Sequence, residues 1–192
     1  MIILGIDPGS ITTGYAFIEK SDGKVRVLEY GVLHAPASHA VEDRLLHIVT
    51  DLEALLERYR PDALAMEGVF FAKNAKSALV LGHVRGAVLV ACRKRGMTFS
   101  EYPPKAVKQA VTGDGSASKE QVANLVFARL GIESSDLPLD ASDALAIAWT
   151  HANPSPLSAV LGSRSKRASA RKKKAGVAEW RALVEKMGGT LP

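Results

Sequence analysis

Four carboxylates in this sequence stand where a carboxylate needs a reason. Asp7 closes an apolar run, Ile2–Ile6, with no polar residue at any alternate position, and Glu67 closes a second short apolar run, Ala63–Met66. Runs of this kind fit strands buried on both faces of a sheet. Asp140 and Asp143, three apart at the start of an apolar helical pattern, project from one helix face. Three of the four have an ordinary explanation. Asp7 precedes the turn Pro8-Gly9 and could cap it through nearby backbone N–H groups, and two acids in the first turn of a helix complement its dipole. Taken together they suggest more. Parallel neighbouring strands would bring the ends at Asp7 and Glu67 side by side, and a helix packed on that sheet could deliver Asp140 and Asp143 to the same edge. Unit charges ~4 Å apart repel by several kcal/mol in a low effective dielectric, so four such groups need cations. Oxygen ligands with no His or Cys select Mg²⁺ or Mn²⁺ over zinc, and two divalent ions would balance the four charges. Such a site suits in-line displacement at a phosphodiester. Lys105, Lys108 and Lys119 would supply positive charge near the substrate.

The elements that must position these acids can be read from the pattern. After the Pro8-Gly9 turn, Tyr15–Glu19 and Val25–Leu33 are β-branched and aromatic, separated by the turn Ser21-Asp22-Gly23, and predict an antiparallel start to the sheet. Glu42–Tyr59 has the helical period, with Leu45, Leu46, Val49, Leu52, Leu55 and Leu56 on one face, and Arg60-Pro61-Asp62 stops it. Asn74–Arg95 predicts a long helix in which Ala78, Gly82, Gly86 and Val90 line one face with little bulk. Glycine inside a helix costs about 1 kcal/mol relative to alanine, so that face expects a close neighbour: the sheet, or the same helix of a second copy. Thr98–Tyr102 is a fifth strand. Lys105–Val111, a helix opened by Ser118 and closed by Gly131, and an amphipathic helix Asp140–His151 complete a mixed α/β pattern.

Composition sets the bounds. The chain has 192 residues and is 47% hydrophobic, enough for one domain and its core. No apolar run approaches the ~18 residues of a membrane span, and Met1 leads directly into the first strand, which predicts no signal peptide and no membrane association. The single Cys92 fits a reducing cytoplasm and excludes a Cys-rich zinc module. The net charge of +5 is uneven: residues 1–162 hold 16 Lys and Arg against 18 Asp and Glu, whereas residues 163–192 hold 9 against 2. Residues 1–157 therefore read as the folded domain, and residues 158–192 as a basic C-terminal arm whose Ser, Ala, Arg and Lys lack apolar periodicity and predict disorder.

The segments GIDPGSITTGYA, EGVFFAKNAKSALVLGHVRGA, VKQAVTGDGSASKEQV and LDASDALAIAWTHA, in this order across residues 1–153, resemble the RuvC family of bacterial Holliday-junction resolvases. Each motif alone is weak; the ordered set is specific. The resemblance implies a ribonuclease-H-like fold, a five-stranded mixed sheet flanked by helices, in a homodimer formed through the helix 74–95. It implies a crossover junction endodeoxyribonuclease acting in recombination and repair, with Mg²⁺ or Mn²⁺, two ions per subunit, and a branch-migration motor complex as a partner. The family's acidic quartet falls on Asp7, Glu67, Asp140 and Asp143, and its junction-binding lysines on Lys108 and Lys119. Phe70 matches the aromatic that stacks on a base beside the cut. Phe71, Lys73, Lys76, Lys105 and Ser116, in or beside the same segments, are further candidate DNA contacts. Two departures stand out: Gly68 replaces a frequent Gln, and Phe71 adds a second ring, so either phenylalanine could be the one that stacks.

Two other classes compete. An actin-like nucleotide-binding phosphotransferase also opens with strand–Asp–Gly–Thr–Gly, but the chain is short for two lobes and has no second Gly-rich phosphate loop. A non-catalytic junction-binding module is the other, and four intact acids argue against it.

Overall fold

The computed structural model describes residues 1–68, 75–133 and 138–154. All of these belong to the first of two compact units, Met1–Ser155; the second, Pro156–Pro192, falls outside the described residues, as does the predicted basic arm.

Five strands form one sheet: β1 (Ile2–Asp7), β2 (Thr12–Ser21), β3 (Lys24–His34), β4 (Ala63–Glu67) and β5 (Thr98–Tyr102), in the order β3-β2-β1-β4-β5. β2 pairs antiparallel with both β1 and β3, and β1, β4 and β5 run parallel. The three hairpin strands followed by two crossover strands are those the turn residues predict. The helices are α1 (Val41–Tyr59), α2 (Ala75–Lys94), α3 (Pro104–Thr112), α4 (Lys119–Leu130) and α5 (Leu139–Ala152). Ser118 caps α4 through a reciprocal box with Gln121, and Gly131 ends it in the left-handed conformation, as the sequence signals.

The sheet has a core on each face. Leu4, Ile6, Phe17, Leu64 and Met66 pack with Ile48, Leu52 and Leu56 of α1 and Val84, Val88 and Cys92 of α2. Ile3, Ala16, Ile18 and Ala65 pack with α3, α4 and α5. Because strand side chains alternate faces, Ile3, Gly5 and Asp7 of β1, and Ala65 and Glu67 of β4, belong to the α5 side.

α5 lies closer to the sheet than any ordinary side chain would allow. A Cβ on Gly5 would sit 2.2 Å from the Ala144 carbonyl oxygen, and a Cβ on Gly14 only 1.9 Å from that of Asp140. Ala141, Ala144 and Ala148 give the helix a matching thin face. α5 is also less amphipathic than its pattern suggests. Ser142 and Thr150 are buried with the alanines, and each hydroxyl donates to a carbonyl of its own helix, of Leu139 and Ala146 respectively. α3 and α4 cover the side that a surface helix would expose.

The small-residue face of α2 does not meet the sheet. A Cβ on Gly82 or Gly86 would touch nothing within 4 Å, and Leu79 and Val90 are 62% and 57% exposed. By length and composition α2 could cross a membrane, with a mean hydropathy of 1.4 in its most apolar stretch, above what inspection of apolar runs suggests. Its sheet-facing side is accounted for by Val84, Val88, Ala91 and Cys92, which pack in the core.

Replacing Gly14 by alanine must push α5 off β2, and overpacking of this kind costs about 1–3 kcal/mol or more. Gly82→Ala fills open space on the helix of a single chain, and in protein dilute enough to be monomeric it is expected to raise stability by about 0.5–1 kcal/mol. Urea denaturation of both variants checks the opposite signs; a Gly14→Ala protein as stable as wild type overturns the close-approach account.

Candidate active site

The local folding of each strand end explains where the acids stand. Ile6 pairs with Met66, so Asp7 and Glu67, one residue further on, end adjacent parallel strands. Asp7 also pairs with Gly14, the residue on which the Asp140 carbonyl rests. The first turn of α5 is thereby set down beside Asp7, with Asp140 in that turn and Asp143 one step beyond it; the sequence pattern places both in the first turn. The Pro8-Gly9 turn is closed without help from Asp7. Thr13, fully buried, donates its hydroxyl to the Gly9 carbonyl at 2.6 Å and accepts from the Gly9 N–H at 3.3 Å. The capping explanation for Asp7 therefore fails: among the described residues its carboxyl receives no hydrogen bond.

Electrostatics tie the acids together. Burial, then repulsion from Asp143, Glu67 and Asp140, raise the Asp7 carboxyl from its ordinary 3.8 to about 7, against the pull of Lys119. Glu67 is raised by burial and then by Asp143, with Lys119, Arg85 and Lys108 opposing. Lys119 on α4 donates to Asp143 Oδ2 at 2.6 Å and also feels Asp7 and Glu67, so its ammonium is held in the charged form. It acts as the internal counter-cation of the cluster. A cleft of about 190 Å³ opens at this edge, lined by Asp7, Pro8, Glu67, Gly68, Leu81, Arg85 and Pro104.

The donor set and its charge suit a divalent cation with oxygen ligands: the acids repel one another, and one lysine cannot neutralise all four. Among the described residues, no three His, Cys, Asp or Glu side chains converge tightly enough to form a ready coordination sphere. The acids are gathered but still spread, with Asp143 drawn to Lys119.

The other predicted residues fall in several places. Lys108 contributes positive field at Glu67 and at Asp114. Lys105 is exposed on α3. Ser116 is held in its loop, its N–H and hydroxyl both donating to the Asp114 carboxylate at 2.8 Å. Lys76 lines a separate pocket between α1 and α2. Phe70, Phe71 and Lys73 lie outside the described residues. Arg85 was missed by sequence reading. Its guanidinium, with the side chain only 13% exposed, donates to the Glu67 carbonyl and pairs with Glu101, fixing the end of β4 against α2. The signal for it was a lone arginine in the least charged part of a long helix.

Residues 3–151 match the profile of the family described as crossover junction endodeoxyribonuclease RuvC. The chain belongs to the RuvC family. A Ruminiclostridium cellulolyticum crossover junction endodeoxyribonuclease RuvC is 44% identical over 163 residues, covering 85% of this chain and 98% of the relative. A Chlorobaculum parvum RuvC is 44% identical over 149 residues, with 78% and 80% covered. Among solved structures, Thermus thermophilus RuvC in complex with Holliday junction substrate superposes with a TM-score of 0.74 at 38% identity, covering 80% of this chain and 93% of that one. The yeast mitochondrial resolvase Ydc2, at 17% identity and a TM-score of 0.57, shares the fold. The ribonuclease-H-like architecture that the RuvC resemblance implies is the one observed.

The Asp7 shift sets a pH signature for the metal-free protein. Folded Asp7 keeps its proton to about pH 7, whereas the unfolded chain releases it near 3.8. The stability of the protonated form is fully present below about pH 4 and is lost as pH rises through 7. The full loss is on the order of 4 kcal/mol as an upper bound. Metal-free Asp7→Asn is therefore expected to match wild type near about pH 4 and to exceed it near about pH 8 by denaturant titration. Equal stability at the higher pH overturns the assignment of Asp7 as a strained acid.

Proposed function

We propose that this chain is a structure-selective endodeoxyribonuclease that resolves four-way DNA junctions during recombination and repair. The observation that carries the reading is the electrostatic coupling of Asp7 with Asp143, Glu67 and Asp140 at one sheet edge, in a chain of the RuvC family. Relatives named crossover junction endodeoxyribonuclease and the likeness to a RuvC bound to Holliday junction substrate support the substrate.

Asp7, Glu67, Asp140 and Asp143 are the residues that would hold Mg²⁺ or Mn²⁺, two ions per subunit. Ions held there would supply Lewis-acid chemistry, a lowered pKa for a bound water and charge compensation at a phosphodiester oxygen. The chain's own groups do the rest. Asp7 and Glu67 end rigid central strands, so their carboxylates keep a fixed place at the edge. Arg85 holds the Glu67 backbone still. Lys119 neutralises Asp143 until other positive charge arrives and is then free to contact a phosphate; Lys108 and Lys105 extend the same basic side. Gly68, where a Gln is frequent, leaves the Glu67 side of the cleft without a polar side chain. Phe70 or Phe71 stacks on a base beside the scissile step, with Lys73, Lys76 and Ser116 as further DNA contacts.

A homodimer through α2 completes the reading. Leu79, Gly82, Gly86 and Val90 form an open strip on a helix whose opposite side packs in the core, which supports a helix–helix contact between two copies. Two sites related by a two-fold axis match a four-way junction and nick strands of like polarity, leaving ends that a ligase seals. The basic segment 158–192 is an appended arm, a branch-migration motor is the expected partner, and the cytoplasm the expected compartment, the last supported by one unpaired, buried cysteine.

Asp7→Asn, Glu67→Gln, Asp140→Asn and Asp143→Asn should each lower nicking of a synthetic junction at least a hundredfold in Mg²⁺ and in Mn²⁺ while retaining junction binding, read by gel; near-normal nicking by Asp7→Asn sinks the assignment. Lys119→Ala should weaken binding and reduce the slope of log affinity against log salt by about one. Gly86→Arg should give monomers in sedimentation and uncouple the two nicks; a stable dimer of this variant rules out the α2 interface.

A further inference from the structure

A second pocket, on the far side of the Asp7 turn, shares only Lys76 with the DNA contacts named above. It is an open cleft of about 400 Å³ lined by Ser10, Arg44, Lys76, Ser77, Val80 and Leu81. Leu81 also lines the Asp7–Glu67 cleft, and Ser10 lies two residues beyond Pro8 of that cleft, so the two openings adjoin. Arg44 comes from the start of α1, and Lys76 and Ser77 from the start of α2, on the face of the sheet opposite α3, α4 and α5.

Arg44 is the unusual group. Its Nη1 donates to Ser10 Oγ at 3.2 Å, while its Nε is shielded from solvent with no hydrogen-bond partner. Among the described residues, Arg26, Arg58, Arg60, Arg85 and Arg95 each pair with a glutamate. Arg93 and Arg129 lack a carboxylate too, but Arg93 donates to the Met97 carbonyl and Arg129 lies over the Trp149 ring; among the described residues Arg44 has neither a carboxylate nor a partner for its Nε. A partly desolvated guanidinium without an anion is costly, and its planar fork fits a phosphate through two parallel N–H donors. The Ser10 and Ser77 hydroxyls line the same pocket as Arg44 and are the donors such an anion would meet beside it, with Lys76 adding positive charge to the lining.

We propose that the Ser10–Arg44–Lys76–Ser77 pocket binds a backbone phosphate of the nucleic-acid strand whose neighbouring phosphodiester lies at the Asp7–Glu67 edge. The inference rests on the nuclease reading and adds a second grip. Lys108 and Lys119 approach the edge from the α3–α4 side, Arg44 and Lys76 from the α1–α2 side, so the strand is held across the sheet edge. Arg44 is a positioning residue: it sets which phosphate reaches the acids.

The test compares full-length wild type, Arg44→Ala, Arg44→Lys and Ser77→Glu for binding of a synthetic four-way junction, without divalent metal, over a series of salt concentrations, and then for nicking at saturating protein. Arg44→Ala should bind about tenfold more weakly, with a salt slope smaller by about one. Arg44→Lys should recover the slope but only part of the affinity. Ser77→Glu, which keeps Arg44 and places a carboxylate in the pocket where the phosphate would lie, should also weaken binding, so the proposal stays testable if Arg44→Ala folds poorly. Unchanged affinity and slope in Arg44→Ala and Ser77→Glu overturn the site. Slower nicking with unchanged binding and slope also overturns it, since that is the mark of a mere tether for the Asp7 turn. Thermal stabilisation of wild type but not Arg44→Ala by inorganic phosphate, with junction binding equal in both, assigns the pocket to a free anion and overturns the DNA role. A wild type that binds the junction but nicks nothing would sink the nuclease reading instead, and the salt comparison would still judge the pocket.

Discussion

The closeness of α5 to the central strands is the constraint on which the site depends. The Asp140 carbonyl occupies the space a side chain would take at Gly14, and the Ala144 carbonyl does the same at Gly5. Gly14 is also the pairing partner of Asp7. One glycine thus fixes the distance between the first acid of the chain and the first acid of the last helix. The alanines of α5 make the contact flat, and α3 and α4 bury its other side, so the helix has little freedom to slide or roll. Rigidity of this kind is what a charged cluster needs, because an adjustable helix would relieve the repulsion by moving away.

The repulsion itself is the cost of the arrangement. Asp7 has burial and three acids against it, and Lys119 in its favour. Native proteins tolerate such local instability where the rest of the fold over-determines it, and here two apolar layers on either face of the sheet do so. Lys119 has two parts in this balance. Its bond to Asp143 moderates the cluster in the absence of other cations, and its position on α4 puts a basic group at the edge where a phosphate would lie. An acid cluster that carries its own counter-cation has part of its repulsion offset within the fold.

Much of this was legible in the sequence, for identifiable reasons. Apolar runs ending in Asp7 and Glu67 carry their own register, since side chains alternate and the acid must lie at the strand end. The Ser118 and Gly131 signals mark α4 because capping is local chemistry. What escaped depends on contacts between distant segments. The glycines of Ile2–Gly14 read as turn residues or strand interior, whereas Gly5 and Gly14 are there for α5, about 130 residues away in sequence. Apolar periodicity singles out neither Arg85 nor Arg44. Only packing shows that one clamps the Glu67 backbone and the other has its Nε buried beside the Asp7 turn. α5 read as amphipathic because the pattern of one helix says nothing of how many neighbours it has.

α2 shows how one helix can link the site to an assembly. Its inner side packs on the sheet through Val84, Val88 and Cys92. Arg85, one residue from Gly86, reaches the Glu67 carbonyl and Glu101, so the end of β4 is anchored to this helix. Its outer side, from Leu79 to Val90, is thin and open, and apolar apart from His83. In a two-fold dimer through that side, each acid cluster would stand a fixed distance from the interface through one arginine and one helix, with no flexible loop between them. The spacing of the two cuts would then follow from the packing of α2. A helix glycine, costly in an isolated chain, has a physical reason under that arrangement: at Gly82 and Gly86 the missing side chains let two backbones approach, as Gly5 and Gly14 let α5 approach the sheet.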